Sequence, residues 1–232
     1  MAPNPIKITT LTARSGMAPN PIKITTLAAS LALVAVIEWT APWLIQITEW
    51  PMLTTLGFIR IIEIGAMIGI VLYFETGLNA IGWAPATWIR GIGIGALWSL
   101  GFALAAAAAM AILYAIGQDF LGMLRTSLPG DRAGLVTFFL VGGLIAPLAE
   151  EICFRGLVYT FFRRWGILTA VIASTLVFVV LHSVHGFPLV QIIGGLVFAL
   201  SFEVTRNLMV PIVIHVLGNS AIFALSLPWL AS

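Results

Sequence analysis

Charge is what this sequence has least of. Only 9% of its 232 residues are Asp, Glu, Lys or Arg, against 60% hydrophobic residues, and the mean hydropathy is +1.08. Soluble globular domains carry roughly 25% charged residues. That class is excluded, together with any sizeable separate soluble domain, and the composition is that of a polytopic membrane protein. Cysteine is nearly absent too. Cys153 alone rules out an internal disulfide and a cysteine-ligated metal cluster, and it reads as a small buried hydrophobe. No basic face interleaved with aromatics is present, so nothing points to nucleic acid. The formal charge of +2 comes from Lys7 and Arg14, without which nine basic and nine acidic residues balance. There is no HExxH pair, which argues against that kind of zinc site.

What is present begins with a duplication. Residues 1–11 read MAPNPIKITTL and residues 17–27 repeat them. So short a repeat, starting at Met each time, marks a start-site duplication rather than a structural repeat. Residues 1–16 are therefore set aside, and 17–232 are read as a single transmembrane domain. Apolar stretches predict seven spans, at about 27–47, 53–74, 88–117, 133–162, 167–182, 189–204 and 208–230, or eight if a loop hides another. Trp39, Trp43 and Trp50 crowd the far end of the first span as an interfacial belt. Gly65-x-x-x-Gly69 and Gly91-x-x-x-Gly95 offer small-residue faces for close helix approach. Arg60 and Glu63, at i and i+3, are spaced to pair as a structural ion pair near the interface, with substrate gating as the less favoured alternative. With the N-terminus inside, Lys23, Arg90, Arg163, Arg164 and Arg206 fall on the cytoplasmic side and Arg125 and Arg132 outside, following the positive-inside bias. The expected fold is all-α: a polytopic membrane protein of seven or eight helices with an intramembrane polar cavity.

The few charges inside the spans carry the functional reading. Glu150, Glu151 and Arg155 lie in the fourth span, one turn after Pro147, whose missing N–H frees a carbonyl and can kink the helix. Charges at membrane depth are costly and default to a functional site with partners. The candidates are Phe178-x-x-x-His182 and His215-x-x-x-Asn219, since residues four apart share a helix face. At 1.5 Å per residue, Glu150 lies ~21 Å and His182 ~27 Å from Arg164, and His215 ~13 Å from Arg206, so uneven or tilted helices are needed for them to meet. A carboxylate, two imidazoles and a carboxamide are the parts of a hydrolytic site: a base for water and donors for a developing oxyanion. Glu151 paired with Arg155 is the structural member, leaving Glu150 as the base. A lone histidine in a membrane helix ordinarily just bonds a backbone carbonyl, so the reading rests on the set. His185 reads as interfacial, although its i, i+3 relation to His182 leaves a metal-ligand role open.

The ordered set EExxxR, FxxxH and HxxxN resembles the CAAX-protease and bacteriocin-processing (CPBP) family of intramembrane endopeptidases, which includes the prenyl-protein CAAX endopeptidase of the endoplasmic reticulum. The resemblance covers roughly residues 140–223, within a motif-bearing core at about 133–230; the first half matches only in being helical and membrane-embedded. It implies that Glu150 activates water, that His182 assists, that His215 and Asn219 stabilise the oxyanion, and that Glu151 and Arg155 support them, with Phe178 completing the second motif. It implies no cofactor, with zinc on Glu150, His182 and His215 as the less favoured alternative. The implied partner is a membrane-associated or lipidated protein or peptide in a prokaryotic cell membrane: a prenylated CAAX protein, a peptide precursor or a C-terminal sorting helix. Two competing classes stay open. Buried Glu, Arg and His also build proton- or ion-coupled transporters, against which no inverted repeat relates the halves. A non-catalytic scaffold or immunity protein is the other.

Overall fold

The computed structural model describes residues 21–118, 124–182 and 188–227. The duplicated segment 1–16 and His185 lie outside the described residues. Seven long helices follow one another: α1 (Ile24–Ile47), α2 (Met52–Phe74), α3 (Trp88–Ala115), α4 (Arg132–Trp165), α5 (Ile167–Leu181), α6 (Leu189–Thr205) and α7 (Met209–Ser226). There is no strand among the described residues. Lipid offers backbone groups no water, and the helix answers by bonding each within its own segment.

Five of the seven are long and apolar enough to cross a membrane; α5 and α6, with 15 and 17 residues, are not. They reach only ~22 and ~25 Å, short of a ~30 Å hydrocarbon layer. The seven expected spans correspond to these seven apolar helices, five of full crossing length and two shorter ones packed against each other. His182 directly follows the last residue of α5.

The central post is α4. Residues 151–161 are all buried, with α2 and α7 packed against its first half and α5 and α6 against its second. Around the proline the helical turn is widened. Val141–Ile145 is π-helical, as is Ile152–Tyr159, and the wider turn relieves the clash between a proline ring and the carbonyl four residues back. The Ala146 N–H reaches back to the Val141 carbonyl. In that register the residue facing the Gly142 carbonyl is Pro147, which has no N–H, and Asn219 Nδ2 donates to Gly142 at 3.0 Å in its place. In the second π segment the Thr160 hydroxyl donates to the Arg155 carbonyl at 3.1 Å.

The helices start at unequal depths. The α2–α3 connection folds inward, burying Ile81 and Trp83. There the Leu208 N–H donates to the Gly82 carbonyl at 2.9 Å, and Asn207 Nδ2 to that of Thr87 at 2.9 Å. Gly82 has φ 73°, and a Cβ on it would lie 2.7 Å from Phe202 Cε2, so both backbone and space require glycine. α7 thus begins level with Gly156, where an added Cβ would lie 3.4 Å from Ile81 and 3.6 Å from Leu208. This inward start brings His215 level with Glu151.

Only one of the two GxxxG patterns is used. A Cβ on Gly91 would come within 2.7 Å of Met209 Cβ, and one on Gly95 within 2.7 Å of Val213 Cβ, so α3 packs closely on α7. A Cβ on Gly65 or Gly69 would have nothing within 4 Å among the described residues. The pattern shows a permissive face, not that a helix occupies it. One end of the bundle gathers basic residues. Lys23 Nζ donates to the Phe74 carbonyl and Arg164 Nη2 to that of Ile22. Glu203 accepts from the Tyr159 hydroxyl, from Arg163 Nε and Nη2 at 3.0 Å each, and from Arg206.

Candidate active site

Three helices deliver the polar groups to one place. Along α4, the i, i+4 pair Glu151 and Arg155 is fully buried, with Arg155 Nη1 donating to Glu151 Oε1 at 2.9 Å. Arg155 Nη2 donates to the Gly195 carbonyl of α6 at 3.2 Å. The guanidinium carbon also lies 4.8 Å from the Phe178 ring centroid and 5.0 Å from that of Phe198, so ring faces supplement the single counter-charge. A Cβ on Gly195 would meet Thr175 Cγ2 at 2.7 Å; glycine lets α5 and α6 close up there.

His215, on α7 and 4% exposed, donates Nδ1–H to the same Glu151 oxygen at 2.8 Å. Its ring stacks on Phe198, with centroids 4.5 Å apart and planes at 20°. His182, at the end of α5, places Nδ1 2.7 Å from the Phe178 carbonyl. A carbonyl only accepts, so Nδ1 carries the proton. In both rings Nδ1 is thereby committed and Nε2 is the free face. Both Nε2 atoms converge on Glu150 Oε2, at 3.4 Å from His182 and 3.8 Å from His215. These are ion-pair distances, and Oε2 itself has no hydrogen-bond partner. Glu151 Oε2 and Arg155 Nε are likewise buried, and all three atoms are without partners among the described residues. Buried polar atoms are nearly always bonded, so the gathering of three such atoms here sets this cluster apart.

The structure thus brings together Glu150, Glu151, Arg155, Phe178, His182 and His215. Asn219 lies on the same helix face as His215 with one N–H spent on Gly142; its amide has a second. Glu150, His182 and His215, the alternative metal set, meet at one carboxylate oxygen, but no group of three or more potential ligands is arranged to hold a metal ion among the described residues. Cys153 is buried, as expected.

The Arg60–Glu63 pair departs from its expected interfacial place. Arg60 Nη1 bonds Glu63 Oε2 at 2.6 Å and also the Glu38 carboxylate of α1. Glu63 is only 1% exposed, and the pair lies ~12–17 Å along α2 from its start. The spacing predicted the pairing but not the depth. Sequence reasoning also missed Gly195, Phe198 and the Glu203 network. The Gly194-Gly195 doublet in an apolar helix was the available signal for the first. A groove of about 410 Å³ lies between α3 and α6, lined by Leu97, Trp98, Gly101, Phe102 and Val197; it is apolar, and none of the polar site residues lines it.

No curated protein and no solved structure matches the chain. Residues 132–221 match the family described as Type II CAAX prenyl endopeptidase Rce1-like. That stretch runs from the start of α4 into α7 and holds every residue of the EExxxR, FxxxH and HxxxN motifs, so over its site-bearing segment this integral membrane protein is similar to the Rce1-like CAAX endopeptidases.

Proposed function

We propose that the protein is an intramembrane endopeptidase that hydrolyses a peptide bond near the C-terminus of a membrane-associated or lipidated substrate, using water activated by Glu150. The observation that carries this reading is the convergence of two histidine Nε2 atoms, from different helices, on Glu150 Oε2. A water held there has a carboxylate to take its proton and an imidazole to share it. The hydroxide adds to the scissile carbonyl. Electron density moves onto the oxygen, which His215 Nε2–H and the second Asn219 N–H stabilise when the His215 ring carries both protons. Glu151 is its counter-charge. Collapse breaks the C–N bond, and the proton taken by Glu150 passes through His182 to the leaving amine. In this reading the end bearing Lys23, Arg163, Arg164 and Arg206 faces the cytoplasm of a prokaryotic cell, and no metal takes part.

The test is cleavage of a farnesylated CAAX peptide by protein reconstituted in vesicles. Glu150→Gln keeps shape and removes the base, and the rate should fall by roughly 10²–10⁴-fold with an unchanged elution profile and melting temperature. Cleavage at the unmodified rate would remove Glu150 from the mechanism.

A further inference from the structure

Away from both ends of the bundle, four carboxylates face two guanidiniums. Arg155 is taken by Glu151. Glu150 faces the two histidines, and the remaining three residues, Glu38, Arg60 and Glu63, form a cluster of their own in which a single nitrogen, Arg60 Nη1, serves both acids. Glu63 is 1% exposed, and its second oxygen, Oε1, has no hydrogen-bond partner among the described residues. The cluster is nonetheless not sealed, since the side chains of Glu38 and Arg60 are 41% and 27% exposed. It therefore has a buried acidic wall and an open mouth. It also stands beside the site. α2 packs on the first half of α4, where a Cβ on Gly57 would lie 2.8 Å from Val141 Cγ2.

One guanidinium between two acids leaves a surplus negative charge at membrane depth, where unpaired charge is expensive. The group that completes such a cluster is a cation. We propose that Glu38, Arg60 and Glu63 form the docking site for a cationic side chain, Lys or Arg, of the substrate close to the scissile bond. The incoming cation pairs with Glu38 at the mouth and leaves Arg60 Nη1 wholly to Glu63, so every charge acquires its own partner. The three residues lie outside the family match at 132–221, and a docking site there sets which substrates this particular chain accepts. The proposal rests on the hydrolytic reading for the word substrate, but not for the binding itself.

The experiment separates the two. Dye-labelled farnesylated peptides carrying Lys, norleucine or Glu beside the scissile bond are titrated into the Glu150→Gln protein in nanodiscs, and anisotropy is read. The Lys peptide should bind about tenfold more tightly than the norleucine peptide, and Glu38→Gln should erase that difference. Glu38→Lys should reverse it in favour of the Glu peptide. Glu63→Gln serves as a further variant only if it elutes and melts as a folded protein; the Glu38 variants, at the open mouth, carry the test. Equal binding of the Lys and norleucine peptides, or tightest binding of the Glu peptide to the unchanged cluster, would overturn the proposal. If the Lys preference is present but protein with Glu150 intact cleaves none of the peptides, the hydrolytic reading fails and the docking site stands.

Discussion

Removing either partner of the Glu151–Arg155 pair should cost far more than removing both. Glu151 Oε1 accepts from Arg155 Nη1 at 2.9 Å and from His215 Nδ1 at 2.8 Å, and neither member of the pair has any exposed side-chain surface. Glu151→Gln removes the counter-charge and leaves the guanidinium in the core with only neutral partners: the new amide oxygen, the Gly195 carbonyl and the faces of Phe178 and Phe198. Breaking a buried pair from one side costs about 3–5 kcal/mol, of which cation–π contacts return about 1–2 kcal/mol. The reference state trims this further. The partners are one turn apart on α4, so they remain paired when α4 separates from its neighbours in lipid, and the glutamine variant loses that pairing in both states. A net loss of roughly 2–3 kcal/mol follows, or about 4–12 °C in melting temperature for a protein of this size. Arg155→Met should cost a similar amount, whereas the double variant leaves no orphan charge and should melt above either single one. The assay is a double-mutant cycle by thermal melting in detergent or bicelles. Single variants melting within a degree of the parent, or additive losses in the double, would refute the reasoning.

Three further outcomes follow from the packing and the site. Gly95→Ala drives a Cβ to within 2.7 Å of Val213 and should destabilise by about 1–3 kcal/mol, while Gly69→Ala, with open space around it, should be neutral or slightly stabilising through helix propensity; equal effects in a melting assay would show that the α3–α7 contact is misassigned. Asn219→Ala orphans the Gly142 carbonyl and should cost about 1–3 kcal/mol, but less in a Pro147→Ala background, where residue 147 regains an N–H; the same cost in both backgrounds would separate Asn219 from the proline. Exhaustive chelation should leave cleavage of the farnesylated peptide unchanged, whereas loss restored by zinc would make Glu150, His182 and His215 ligands.

The motifs were legible because local spacing carries them. Glu151 and Arg155, or Phe178 and His182, meet on one helix face whatever surrounds them. The Arg60–Glu63 pairing was legible for the same reason; its third member, Glu38, was not, because nothing in α2 states which face α1 covers. Helix existence followed from apolarity, but the short lengths of α5 and α6 did not. Hydropathy is a property of composition, and where an apolar helix of 15 residues ends depends on its neighbours as well. The π segments were invisible as well. A proline announces a disturbed turn, but whether the helix bends or widens depends on a donor such as Asn219, 77 residues away in sequence, being present for the freed carbonyl.

By itself, then, the sequence determined that the chain lives in lipid, that it is helical, and that one acidic pair, one arginine and two histidines must find each other there, since lipid leaves charges no other partner. Only the tertiary structure decided how they do so. The inward-folded α2–α3 connection sets α7 deep enough for His215 to reach Glu151, and the short α5 ends where His182 meets Glu150. Depth is a relation between helices, fixed by which ends pack on which, and no single stretch of residues encodes it.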